Sequence, residues 1–154
     1  MIDNAESVVR ILFPNKILHG KVMGGAFALR SWRDESYLSV FRLNGPTFKK
    51  DILGLDKGRN LDCATLSVGN IRDINLEESG NIASCDVIEI GDIDKTSHAG
   101  IFAYINNKPL IGGHENEVDS DERGSSIGAL ALALQHRLAM IAQNGLTHVN
   151  TLLQ

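Results

Sequence analysis

The stretch KTSHAGIFAYI, residues 95–105, opens on polar residues and then turns apolar at almost every position. Strict alternation would mark a strand with one wet face. Its absence over AGIFAYI predicts a central strand covered on both sides. Such a strand needs a sheet beside it and another layer packed across that sheet.

The covering layer is predicted downstream. Ile127, Leu130, Leu134, Leu138 and Ile141 recur at three- and four-residue steps, the stripe of an amphipathic helix over about 126–144. Ser125 or Ser126 can supply the N-cap, and Asn144-Gly145 is a stop signal. Leu132 and Met140 fall off the stripe, so this is read as a core helix packed on the sheet. The neighbouring strands are predicted upstream, at YLSVFRL (37–43), CATLSV (63–68) and CDVIEI (85–90). The turns EESGN around Gly80 and INNKPL around Asn107 have hairpin chemistry. GPTFKKDILGL reads as a short helix with Pro46 in its first turn. ESVVRILF fits both periods and is taken as a short N-terminal helix.

These elements add up to an α+β fold: a mostly antiparallel sheet of four to six strands with the C-terminal helix across one face. There is no β-α-β-α alternation, which disfavours a doubly wound nucleotide fold. At 154 residues, with no repeat or linker, the chain 1–154 reads as a single domain. The one shift in composition, GGHENEVDSDERGSS (112–126), reads as a solvated acidic loop.

Several function classes lose ground on composition. A net charge of −4 argues against nucleic acid as a partner. The run IGALALAL is far short of the ~20 residues a membrane span needs, so no membrane association is expected. Asp3 and Glu6 stand where a secretory leader would be basic, so a cytoplasmic location is expected. Cys63 and Cys85 fit that compartment as reduced, buried thiols. With no C-x-x-C and no paired histidines, neither a metal nor a cofactor is indicated.

Chemistry-bearing candidates are few. His98, at the mouth of the strand, could act as a general acid or base, with Asp92, Asp94, Lys95 or Ser97 as local partners. It could equally end a turn by bonding local backbone. His114 with Glu115, Glu117, Asp119 and Asp121 lacks the order of a calcium loop and reads as solvated. GKVMGGAF (20–27) has its lysine before the glycine pair, opposite to a phosphate loop, and reads as a turn or bulge. Residues 26–42 interleave Arg30, Arg33, Asp34 and Arg42 with Phe27, Trp32, Tyr37 and Phe41. That is the composition of a recognition surface, and equally of a hairpin with a charged outer face.

Arg10 with Phe13-Pro14, then Gly20, Ala26-Phe27, Asp34, Leu38-Ser39-Val40 and His98-Ala99 with Ile101, resembles a family of small uncharacterised bacterial proteins. The pattern has histidine where this chain has Phe13, so a two-histidine site is not implied. No activity comes with the resemblance. It implies that residues 26–40 and SHAGI belong to one design and meet in space.

Two functions follow as expectations. The first is a binding or accessory domain, not an enzyme, that takes a protein partner on a 26–42 hairpin anchored by Trp32. The alternative is a small metal-independent hydrolase or transferase for an anionic substrate, with His98 as general base and Arg30 or Arg42 as anion clamp. The enzyme requires His98 to share a cavity with Arg30, Asp34 or Arg42. The sequence leaves the oligomeric state open.

Overall fold

The computed structural model describes residues 1–113 and 124–154, with the backbone alone for 32 and 124–127. In chain order the strands are β1 (Ser7–Leu12), β2 (Ile17–Leu18), β3 (Lys21–Val22), β4 (Leu38–Arg42), β5 (Asp62–Ser67), β6 (Asn75–Glu78), β7 (Asn81–Glu89), β8 (His98–Ile105), β9 (Lys108–Pro109) and β10 (Leu146–His148). The helices are α1 (Phe48–Asp56), α2 (Val68–Arg72), α3 (Gly124–Gln143) and α4 (Val149–Leu152). Eight strands form one antiparallel sheet in the order β10-β5-β1-β4-β8-β7-β6, with β9 also paired to β8. β2 and β3 form a separate ribbon.

The α+β class is the one read from sequence, with more strands than four to six. The largest correction is β1. Val8, Val9, Ile11 and Leu12 are all buried, because this strand lies inside the sheet with a core on either face. Its side chains therefore show no alternation, and the same spacing mimics a helix stripe. The other additional strands, β6, β9 and β10, are two to four residues long, too short to leave a period.

Two cores sandwich the sheet. On one face α3 lays Leu130, Leu134 and Leu138 over Val8, Val40, Leu66, Val87 and Ile101. On the other, α1 and α4 bring Ile52 and Val149 against Val9, Phe41 and Cys63. Each fully buried aliphatic of this kind contributes roughly 1.5–3 kcal/mol. Leu132 and Met140, off the α3 stripe, are exposed.

The turn chemistry accounts for the hairpins. Ser79-Gly80 links β6 to β7 and Asn106-Asn107 links β8 to β9, each a two-residue loop with both φ values positive. These are the primed turns whose twist suits a hairpin, and His19-Gly20 joins β2 to β3 in the same way. α1 begins at Phe48 after Thr47, two residues later than Pro46 would place it.

Residues 26–42 are not a hairpin. Gly24–Phe27 and Ser31–Arg33 form 3-10 turns, Asp34 takes a left-handed backbone (φ 47°), and only Leu38–Arg42 is strand. The segment does not pair with itself; its one strand pairs with β1 and β8. The acidic string from His114 to Glu122 lies outside the described residues, as does the side chain of Trp32.

Candidate active site

The site begins with a strand register. Along β4, Leu38 and Val40 enter the α3 core, so Ser39 and Phe41 point to the opposite face. β8 pairs with β4 antiparallel, placing His98 opposite Phe41 and Gly100 opposite Ser39. His98 and Ser39 are thus diagonal neighbours, within reach of a long side chain. The imidazole spans the diagonal: its Nε2 lies 2.8 Å from Ser39 Oγ.

The other ring nitrogen, Nδ1, lies 2.6 Å from Asp92 Oδ2, on the turn between β7 and β8. A carboxylate only accepts, so Nδ1 carries the proton toward Asp92. Nε2 is then the bare nitrogen that accepts from the Ser39 hydroxyl. Ser39, His98 and Asp92 form a continuous hydrogen-bonded line. The His98 side chain is 11% exposed and that of Asp92 45%, so the imidazole is sheltered while its carboxylate partner is partly in water.

Packing fixes the ring. It stacks on Phe41 at 5.2 Å between centroids and 22° between planes, and Tyr37 meets it edge-on at 6.1 Å. Tyr37 can lie there because Gly100 has no side chain; a Cβ on Gly100 would come within 2.8 Å of the Tyr37 ring. The backbone before His98 is clamped as well. Ser97, fully buried, accepts from Thr47 N through its hydroxyl at 3.0 Å, and Ser97 N donates to Thr47 Oγ1 at 3.1 Å. His98 N donates to Lys95 O.

A second irregularity opens the cavity. β1 and β4 pair only at Val8 with Arg42 and Val9 with Phe41, and then part. Arg10 fills the gap, donating from Nε to Ala26 O (2.9 Å) and from Nη1 to Ser39 O (2.8 Å), with its guanidinium over the Phe27 ring. Desolvation pulls the Arg10 pKa down to about 10, which still leaves it charged at neutral pH. Between the parted strands lies a cavity of about 360 Å³, at the small end of ligand sites. Ser39 and His98 line it beside Phe13, Phe41, Leu55, Lys16, Arg30 and Lys95. Four cationic side chains, Arg10, Lys16, Arg30 and Lys95, face a single lining carboxylate, Glu35.

The sequence candidates divide accordingly. Arg30 and His98 share the cavity. Arg30 is also forked onto Glu35, with Nε at 2.9 Å and Nη2 at 2.7 Å from Oε2. Arg33 and Asp34 line an adjacent depression. Arg42 lies outside both cavities and ties β4 to β7 and to the residue just before β1. It donates from Nε and Nη2 to Glu6 at 3.0 Å each and from Nη1 to Glu89 at 2.6 Å. Those bonds raise the Arg42 pKa and, in reverse, lower that of Glu6.

Ser39 is the functional candidate that the sequence reading did not assign. Its one signal was its place in the Leu38-Ser39-Val40 landmark. Arg10, Phe13, Ala26, Ser39 and His98, all positions of that resemblance, line the same cavity. Residues 26–40 and SHAGI meet at the bond between Ser39 and His98. Among the described residues no three His, Cys, Asp or Glu side chains gather as metal ligands would. No protein-family model matches the chain, and neither does any curated protein or solved structure.

Proposed function

We propose that this protein is a small serine hydrolase or acyltransferase acting on an anionic ester. The observation that carries the reading is the line from Asp92 through His98 to Ser39, at 2.6 and 2.8 Å, opening into a cationic cavity. A hydroxyl is a weak nucleophile alone and needs an adjacent base, which in turn needs an orienting group. All three roles are filled by groups within hydrogen-bond reach.

The chemistry balances without a further reactant beyond water. Ser39 Oγ bonds to the acyl carbon as its proton passes to His98 Nε2. The bond from that carbon to the leaving oxygen then breaks, and the leaving oxygen takes the proton from His98. Water repeats the sequence on the acyl-serine, freeing the acid and restoring the hydroxyl. Asp92 holds the imidazole in the required tautomer and offsets its charge when protonated. The cationic lining favours both an anionic substrate and the negative charge that develops on the acyl oxygen.

Labelling with a fluorophosphonate, read by intact-protein and peptide mass spectrometry, tests this. The expected result is one adduct, on Ser39, lost in Ser39→Ala and strongly slowed in His98→Ala. Absence of any adduct in the folded native chain, or an adduct that persists in Ser39→Ala, refutes it. The accessory-domain reading, with a protein partner on residues 26–42 and Trp32 as anchor, gives Ser39, His98 and Asp92 no chemical task. It predicts no labelling.

A further inference from the structure

The depression beside the active cavity has a volume of about 420 Å³ and is lined by Arg33, Asp34, Ser36 and Tyr37. Arg30, Glu35 and Ser39 line both spaces, so the Arg30–Glu35 pair is a partition and Ser39 stands at the passage. His98 belongs to the first space only. Resting on the hydrolase reading, we infer that the two spaces hold the two halves of the substrate. The alcohol half, carrying a carboxylate or phosphate, occupies the His98 cavity beside Lys16 and Lys95. A short polar acyl half occupies the Arg33–Tyr37 depression.

The assignment follows from where the proton must go. The leaving oxygen takes its proton from His98 Nε2 and so must lie within hydrogen-bond distance of it, in the space that His98 lines. The acyl half stays on Ser39 after the alcohol departs. It must leave Nε2 open, because the water that completes the reaction is activated by the same nitrogen. A second lined space that Ser39 reaches, and that His98 does not line, is the Arg33–Tyr37 depression.

Charge then distinguishes the halves. Neither Lys16 nor Lys95 has an ion-pair partner among the described residues, and both flank the alcohol side. A charged group on the alcohol would gain two charge-assisted contacts there. The acyl side carries polar groups along most of its wall, which suits a hydroxyl-bearing acyl group better than an alkyl chain.

Four esters test the inference on the full chain: acetyl and hydroxyacetyl esters of 3-hydroxybenzoate and of its methyl ester. The native protein is expected to favour the anionic alcohol by about tenfold or more in kcat/KM. In Lys16→Gln/Lys95→Gln that ratio should fall about tenfold, with the preference between acyl groups kept. In Arg33→Gln the acyl preference should change while the alcohol ratio is kept. The opposite pattern, with the lysines governing the acyl group, overturns the assignment and leaves the serine mechanism standing. Hydrolysis undiminished in Ser39→Ala, or no hydrolysis of any ester, refutes the mechanism and the inference together. Urea midpoints of the variants check that each is folded.

Discussion

Gly45→Ala tests how firmly His98 is held from behind. Gly45 is not among the residues with a left-handed backbone, so alanine meets no torsional penalty there. The obstacle is steric. A Cβ at that position would sit 2.2 Å from Ser97 Oγ, 2.5 Å from Ser97 Cβ and 3.0 Å from Ser97 Cα. Restoring ordinary contact distances requires a shift of roughly 1 Å, and overpacking of that kind costs about 1–3 kcal/mol. The shift also stretches the paired bonds between fully buried Ser97 and half-buried Thr47, at 3.0 and 3.1 Å. Adding part of that loss gives about 2–4 kcal/mol in all, or a Tm lower by roughly 5–15 °C for a domain of this size. Urea unfolding of Gly45→Ala, Ser97→Gly and the double variant measures it. Ser97→Gly removes the Oγ and Cβ that obstruct, so the double variant should lose at least about 1.5 kcal/mol less than the sum of the singles. Additive losses would refute the account.

Three further outcomes follow from geometry already described. Asp92→Asn should lower kcat for ester hydrolysis about ten- to a hundredfold, the worth of a hydrogen bond to a charged group, and less than a fully buried carboxylate would cost; a change under twofold would show that His98 needs no partner. Glu6, 18% exposed and held by Arg42, has its pKa lowered below the ordinary value of 4.5, so its stabilising effect is complete above that value and is lost as pH falls through the folded pKa. Glu6→Gln should therefore be less stable than the native chain at pH 6, with the gap closing in strong acid; urea midpoints across that range would show a constant gap if the pair did not matter. Burial pushes the Cys63 thiol up to about 11 and that of Cys85 to about 12, so neither should react with an aromatic disulfide at pH 8 until denaturant is added.

The elements legible in the sequence were those whose side chains keep a single period. β5, β7 and the described part of α3 lie close to where alternation and the leucine stripe put them, and β8 lies where a continuous apolar run rich in aromatic and β-branched residues put it. β1 was not legible as a strand, because its apolar pairs Val8-Val9 and Ile11-Leu12, divided between the two cores, also sit at helical spacing around the charged Arg10. The 3-10 turns Gly24–Phe27 and Ser31–Arg33 were hidden for a different reason: at four and three residues they are too short to leave a period.

The site was half legible. His98 stood out for its place at a strand mouth, and Asp92 lay near enough in sequence to be considered. Ser39 carried no motif, since its relation to His98 exists only through the register of β4 against β8. Arg42 looked like an anion clamp because its carboxylate partners, Glu6 and Glu89, lie 36 and 47 residues away.

The bond from Ser39 to His98 joins residues 59 apart in the chain, across a ladder with no tight turn between its strands. Such pairings close late in folding, after the local hairpins, because the entropy of the intervening loop is lost before any contact repays it. A slip of one residue would send Ser39 to the α3 side of the sheet and Val40 to the cavity. Ser39 and His98 therefore come together only in the correctly registered sheet. During refolding, the fluorophosphonate labelling of Ser39 proposed above should appear no sooner than that ladder, making it a chemical clock for the slowest part of assembly.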